Sequence, residues 1–300
     1  MPVYTRDRCP ICGSSDRRTL GSLNPAGAVL PPPADSAILA CRACSLVYVN
    51  PMPHWQPDEF DRLYADGYFE VNPAWEAIRA ADIPQYRLRV IERLIGCDGR
   101  TALEIGSGVS AFMARHLADR GWHVDAQEPS AAFVETLRGI DPRINVLNEP
   151  FLSLPRTRAY ALIYADSVLE HVADPNPYFE HISALLEPGG LLYFVSPNEY
   201  SLANLLGTLR NRIGSGHARM LCPYVGSYHL LGYSKRAVEL AGRRVGLQLV
   251  RFARERDFVW WHVLQRRPRS ARHYLHAAAA FAADALGFGM NLEIAMRRVR

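Results

Sequence analysis

Short apolar runs alternate with amphipathic stretches through the middle of the chain. The runs Ala102–Ile105, Trp122–Gln127, Ile144–Leu147, Tyr160–Ala165 and Leu191–Ser196 are long enough for buried strands and too short for helices. Between them, Ala111–Arg120 and the stretch after Pro175 read as helices. Strands alternating with helices predict an α/β fold, a parallel sheet with helices on both faces. Ligands of such sheets bind beyond the C-terminal strand ends. Gly106, Glu128, Asp166 and Ser196, from four separate stretches, all fall at that edge.

The pattern changes on either side of this core. Leu46–Val49 reads as a short strand. Phe60, Leu63 and Tyr64 sit at helical spacing, as either a buried face or a lid with Tyr68 toward a pocket. Pro73–Ile95 reads as one or two helices interrupted at Pro84. After Ser196-Pro197-Asn198 the alternation breaks, and residues 199–233 read as an insertion over the strand ends, a candidate substrate cap. A helix over Lys235–Val245 follows, then strands over Leu247–Arg254 and Phe258–Gln265, with Trp260 and Trp261 as packing groups. Tyr274–Ala285 is Ala-rich and helical, is broken by Gly287 and Gly289, and resumes over Asn291–Val299. The expected division is therefore 1–53, a small cysteine-bearing module; 54–99, a helical linker or lid; 100–267, the α/β domain; and 268–300, a helical tail. That tail has little to bury alone, which leaves open a homo-oligomer contact or docking against the insertion.

Composition narrows the function classes. Of 300 residues 49% are apolar, enough for a sizeable core, yet no apolar run reaches bilayer length. Met1–Arg6 lacks the apolar stretch of a signal peptide, so the expectation is a cytoplasmic protein without a membrane partner. Net charge is a mild +4, and the Arg-Arg pairs at 17–18, 243–244, 266–267 and 297–298 are scattered. A nucleic-acid partner calls for a concentrated basic face, so none is expected.

Two motifs carry chemistry. Cys9-Pro10-Ile11-Cys12 and Cys41-Arg42-Ala43-Cys44 are Cys-x-x-Cys pairs, each able to place two thiolates on one side of a tight turn. Four such ligands make a closed, structural zinc ribbon; the alternatives are unliganded thiols or an oxidised pair. Cys97 and Cys222 are isolated. The second motif is Leu103-Glu104-Ile105-Gly106-Ser107-Gly108-Val109-Ser110, a strand-to-helix turn whose glycines let the backbone lie against a ligand under a helix N-terminus. Glu128, 22 residues beyond Gly106, is spaced to accept both hydroxyls of a ribose. A tight turn with no ligand is the plainer alternative. Farther on come Asp166-Ser167-Val168-Leu169-Glu170-His171 and Leu185-Leu186-Glu187-Pro188-Gly189-Gly190.

Together these motifs resemble the class I S-adenosylmethionine-dependent methyltransferases over roughly residues 100–266. The cysteine segment through Asn50-Pro51-x-Pro53 resembles a zinc-binding segment attached to a subset that acts in natural-product, sugar or polysaccharide pathways. The resemblance implies a Rossmann-like seven-stranded sheet ending in an antiparallel hairpin, with S-adenosylmethionine and structural zinc as cofactors. It implies donor contacts from Glu104, Gly106, Gly108, Glu128, Pro129, Asp166 and Ser167, and zinc ligands Cys9, Cys12, Cys41 and Cys44. Glu149 and Phe151 lie in the loop that reaches the adenine in the family. Ser227-Tyr228-His229-Leu230-Leu231-Gly232-Tyr233-Ser234 resembles the family's His-Leu-x-x-(Phe/Tyr)-Ser stretch. His229 is then the first candidate base, His171 the second and Tyr228 an orienter. For Glu170–His171 a helix-start pair satisfied by local hydrogen bonds is the alternative, and for His229 a bonded loop histidine. The expected activity is methyl transfer to a small-molecule acceptor, a hydroxyl first. The rivals are an RNA methyltransferase, a nicotinamide oxidoreductase, disfavoured by Ser110, and a non-catalytic scaffold.

Overall fold

The computed structural model describes residues 3–22, 33, 35–53, 80, 82–96, 100–202, 204–205, 229–255, 274, 278 and 281–299. The N-terminal strands are β1 (Val3–Tyr4), β2 (Arg17–Ser22), β3 (Ala37–Cys41), β4 (Val47–Asn50) and β5 (Met52–Pro53). Helix α1 (Asp82–Ile95) leads into β6 (Thr101–Ile105), α2 (Phe112–Ala118), β7 (His123–Gln127), α3 (Ala131–Arg138), β8 (Ile144–Leu147), β9 (Tyr160–Asp166), α4 (Pro175–Leu185) and β10 (Leu186–Pro197). The chain closes with β11 (Leu231–Gly232), α5 (Lys235–Arg244), β12 (Leu247–Glu255) and β13 (Asn291–Arg298).

The main sheet has seven strands in the order β12-β13-β10-β9-β6-β7-β8. Strands β10, β9, β6, β7 and β8 are mutually parallel, and β13 runs antiparallel to both β10 and β12. The predicted α/β sheet and its terminal hairpin are therefore present, with Leu247–Arg254 as one strand as expected, but its partner is built from different residues. Asn291–Arg298, expected to resume a helix, is the strand between β10 and β12. Its pattern suits that place: Leu292, Ile294, Ala295 and Met296 are buried among neighbours on both faces, and so is Glu293, which pairs with Arg251. The expected partner, Phe258–Gln265, lies outside the described residues, as do residues 54–79, most of the proposed cap, and Cys97, Cys222 and Tyr228.

The elements follow local chemistry. Leu103, Leu162 and Ile163 are wholly buried in the central strands. Helix α4 starts where Asp174 accepts a hydrogen bond from Asn176 N and Pro175 takes the first helical position. Helix α5 starts where the Ser234 hydroxyl accepts from Ala237 N.

The cysteine module is tied into this body. Strands β2, β3 and β4 form a sheet completed by β11, from the far side of the proposed cap, with Leu231 opposite Tyr48 and Gly232 opposite Val47. Asn176 donates to Pro10 O at 2.7 Å and Ser234 to Cys44 O at 2.5 Å. Ile11, Leu46 and Tyr48 share one apolar cluster with Phe179, Phe194 and Tyr233.

Candidate active site

The glycine turn follows β6. Gly106 and Gly108 both have positive φ, 63° and 60°. A Cβ on Gly106 would meet Val168 Cγ2 at 2.8 Å, so this position needs glycine for packing as well as conformation. At Gly108 an added Cβ meets nothing within 4 Å, so that side of the turn faces open space.

The carboxylates around the turn are all engaged. Glu128 is buried and accepts from Gly108 N and Ser130 N, both at 2.9 Å. Its position beside the turn is the predicted one. Pro129 follows it, with its carbonyl bonded by Asn148 Nδ2 at 3.2 Å. Glu104 is buried under the turn and accepts from Ala114 N at 2.8 Å. Burial pushes its pKa up to about 8. The helix after the turn was expected to offer its free N–H groups to a ligand; it begins one residue later, at Phe112, and Glu104 takes its Ala114 N–H. Glu149 offers its carbonyl to Gln127 Nε2, and the Phe151 ring stacks on Tyr178.

Asp166, at the end of β9, pairs with Arg87 at 2.6 Å. Ser167 has φ 56° and donates to Asp166 Oδ1 at 3.3 Å. Arg87 is a participant that sequence reasoning missed. It is buried and also bonds Glu255 through two nitrogens, at 2.6 and 2.9 Å, and the Tyr164 hydroxyl at 2.5 Å. Burial alone would lower its pKa; Asp166 and Glu255 outweigh that and hold the guanidinium charged. The missed signal is its position, on the stripe Pro84, Arg87, Leu88, Ile91, Ile95 that α1 turns inward. A charge on an apolar stripe calls for a buried partner.

The third group lies in the turn after β9 and the segment before β11. Side-chain ligand atoms of Glu170, His171 and His229 all lie within 4.8 Å of one another. The two imidazole rings meet edge to face at 4.7 Å. The two segments are clamped together, since Leu230 N and Leu231 N both donate to Glu170 O, at 2.7 and 3.0 Å. Glu170 is fully buried and neither carboxylate oxygen has a hydrogen-bond partner; the Ser196 hydroxyl and His229 Nδ1 are likewise buried without one. Glu170 and His171 sit in a turn rather than at a helix start, and His171 N donates to Val168 O at 3.0 Å. The bonded-loop alternative for His229 fails at Nδ1. Burial pushes the Glu170 carboxyl up to about 8 and, helped by His171, holds the His229 imidazole well below its usual range, hence neutral at pH 7.

In the cysteine module the knuckles turn as the spacing predicts: Gly13 N donates to Cys9 O and Ser45 N to Cys41 O. The sulfurs of Cys9 and Cys44 are 3.6 Å apart and those of Cys12 and Cys41 3.4 Å, with all four mutually within 4.8 Å. All four cysteines are free thiols, far beyond S–S bond length. Tetrahedral zinc with Zn–S bonds of about 2.3 Å suits such separations. The hydrogen bond between Cys9 and Cys44 pulls the Cys9 thiol down and holds the Cys44 thiol up.

Sheet order, glycine turn and strand-end acids define a class I methyltransferase fold. Residues 77–282 match a family described as methyltransferase domain, and the chain belongs to that family. A ubiquinone biosynthesis O-methyltransferase of Coxiella burnetii (strain Dugway 5J108-111) is 26% identical over 157 residues, 51% of this chain and 65% of that protein. The chain thus spans about two thirds of the length of that curated relative. A chain of the complex between the Haloferax volcanii Trm112 methyltransferase activator and a methyltransferase shares the fold, with TM-score 0.57, 19% identity, and 81% and 98% of the two chains covered. So does the [4+2]-cyclase SpnF, with TM-score 0.53, 15% identity, and 83% and 98% covered. Among the described residues no helix is long and apolar enough to cross a membrane.

Proposed function

We propose that the protein transfers a methyl group from S-adenosylmethionine to a hydroxyl of a small biosynthetic intermediate, with a structural zinc in its cysteine module. The observation that carries this reading is the convergence of the glycine turn, Glu128 and Asp166 at one sheet edge, next to the His171–His229 pair. The O-methyltransferase name of the Coxiella relative supports the acceptor class. When bound, the donor supplies an electrophilic methyl carbon. Glu128 would accept the ribose hydroxyls, exchanging its bond to Gly108 N for them. Gly106, Gly108 and Pro129 shape the donor's bed, Glu104 holds the helix beneath it, and Asp166 and Ser167 face its other end. Cys9, Cys12, Cys41 and Cys44 would hold zinc, which fixes the knuckles and supplies no catalytic position.

Alignment and exclusion of water do most of the work, because the donor is already reactive. A hydroxyl acceptor must also lose its proton. His229, a neutral imidazole, is the first group placed to receive it and His171 the second, both beside Glu170. Tyr228, the proposed orienter, adjoins His229 in sequence.

The test is calorimetric titration of the zinc-loaded protein with S-adenosylmethionine and S-adenosylhomocysteine, followed by an acceptor screen. Both should bind saturably. Glu128→Ala should weaken both by tenfold or more, as expected for charge-assisted bonds of about 1.5–3 kcal/mol. His229→Ala should keep donor binding and abolish turnover. Absence of donor binding would leave the scaffold reading. Binding without any methylated acceptor would overturn methyl transfer while leaving the donor site standing.

A further inference from the structure

We infer that Glu170, His171 and His229 form a binding site for one divalent transition-metal ion, separate from the four-cysteine cluster. Three observations carry it. The ligand atoms converge, all lying within 4.8 Å of one another, and ligand bonds of about 2.0–2.2 Å need only small side-chain rotations from there. The polar demand of two of the three is unmet: both oxygens of the fully buried Glu170 carboxylate and Nδ1 of the buried His229 lack hydrogen-bond partners. Each such atom destabilises the fold when nothing fills its place, and several in one spot call for a bound group such as an ion. The site is also built. Two backbone bonds to Glu170 O fix the His229 segment against the β9 turn, and β11, two residues after His229, is locked into the cysteine module's sheet by Val49 N donating to Leu230 O and by pairing with β4.

The donor set selects the ion. Two imidazoles and one carboxylate suit zinc, iron, cobalt or manganese; magnesium and calcium prefer all-oxygen sites. Three protein ligands leave at least one position open. The half-buried His171 is the member of the set nearest solvent, which gives the open position an outward side. An acceptor oxygen binding there would be polarised by the ion, and its hydroxyl would ionise more readily. This consequence rests on the small-molecule reading above, and it recasts His229 from base to ligand; the metal site itself does not depend on that reading.

Cobalt is the probe. Protein as purified, with its cysteine cluster loaded, is dialysed against Co2+, and zinc and cobalt are counted together by elemental analysis. Two metals per chain are expected. The second should bring only weak d–d absorption, without the intense sulfur-to-metal charge transfer of a thiolate site. Glu170→Gln and His229→Asn should each hold one metal per chain while still binding S-adenosylhomocysteine, which reports an intact fold. A single metal per chain in the wild type at millimolar cobalt would overturn the inference, whatever the variants do. So would two metals per chain in both variants. Glu128→Ala should hold two metals even where it has lost the donor, so failure of the donor reading and failure of the metal site register separately.

Discussion

The two halves of the strand-end edge treat buried carboxyls in opposite ways. Around the glycine turn every acid is answered: Glu104 by Ala114 N, Glu128 by Gly108 N and Ser130 N, Asp166 by Arg87. Across β9, Glu170 is equally buried and answered by nothing, with Ser196 Oγ and His229 Nδ1 in the same condition. The first half is complete by itself and offers its open side at Gly108. The second leaves these polar atoms unmatched among the described residues, which is the ground for the metal inference above. The paired carboxyls are held in fixed positions, and the unpaired one is left to whatever else enters the site.

The largest effect that sharpens this contrast lies in the answered half. Arg87→Met should lower the unfolding free energy by about 3–5 kcal/mol, because it strands Glu255 and Asp166 without their counter-charge. Urea unfolding measures it. A loss under 1 kcal/mol would mean that those acids do not depend on Arg87. If the donor binds as proposed, beside Asp166, the same variant should also weaken S-adenosylhomocysteine binding.

How much of this was legible in the sequence divides along the same line. The ribbon and the glycine turn are local: Cys9 to Cys12, Cys41 to Cys44, and Gly106 to Gly108 each close within a few residues, and the backbone there obeys short-range rules. Ser45, closing the second knuckle, takes the left-handed turn at φ 61°. Strands β6 to β10 were legible from apolar runs. The last strand was not, because Asn291–Arg298 follows an Ala-rich helical stretch and its identity depends on pairing with β10 and β12. Arg87 and Glu255 meet across 168 residues, and no local rule joins them. Likewise Glu170 and His229 were each visible as chemistry, but their meeting depends on β11 joining a sheet built from residues 17–50. Long-range pairing, not residue identity, was the missing information.

A middle-sized effect separates the halves by sign. Glu104→Met removes the acceptor of the buried Ala114 N–H, and the orphaned donor should cost about 1–3 kcal/mol. Thermal or urea unfolding at pH 6 reads it. A neutral result would mean that the helix start after the glycine turn needs no cap, and would undo the claim that this half is held together by its acids.

The matching change in the other half should go the other way. Glu170→Met removes a buried carboxyl that bonds nothing, and Met fills nearly the same volume. In protein holding metal only at the cysteines, the variant should be as stable as wild type at pH 5 and about 1 kcal/mol or more stabler at pH 8. The sign follows from the pKa. In the folded chain burial raises the Glu170 carboxyl to about 8, whereas in the unfolded chain it titrates near 4.5. The folded state therefore holds a proton that the unfolded state has released between those values, and wild-type stability falls as pH rises through that window. Glu104, raised to about 8 as well, contributes the same slope in both proteins and cancels in the comparison. Urea unfolding at pH 5 and pH 8 gives the four numbers needed. A variant less stable than wild type at both pH values would show that Glu170 is already satisfied in the protein without a second metal, and the contrast between the two halves would collapse.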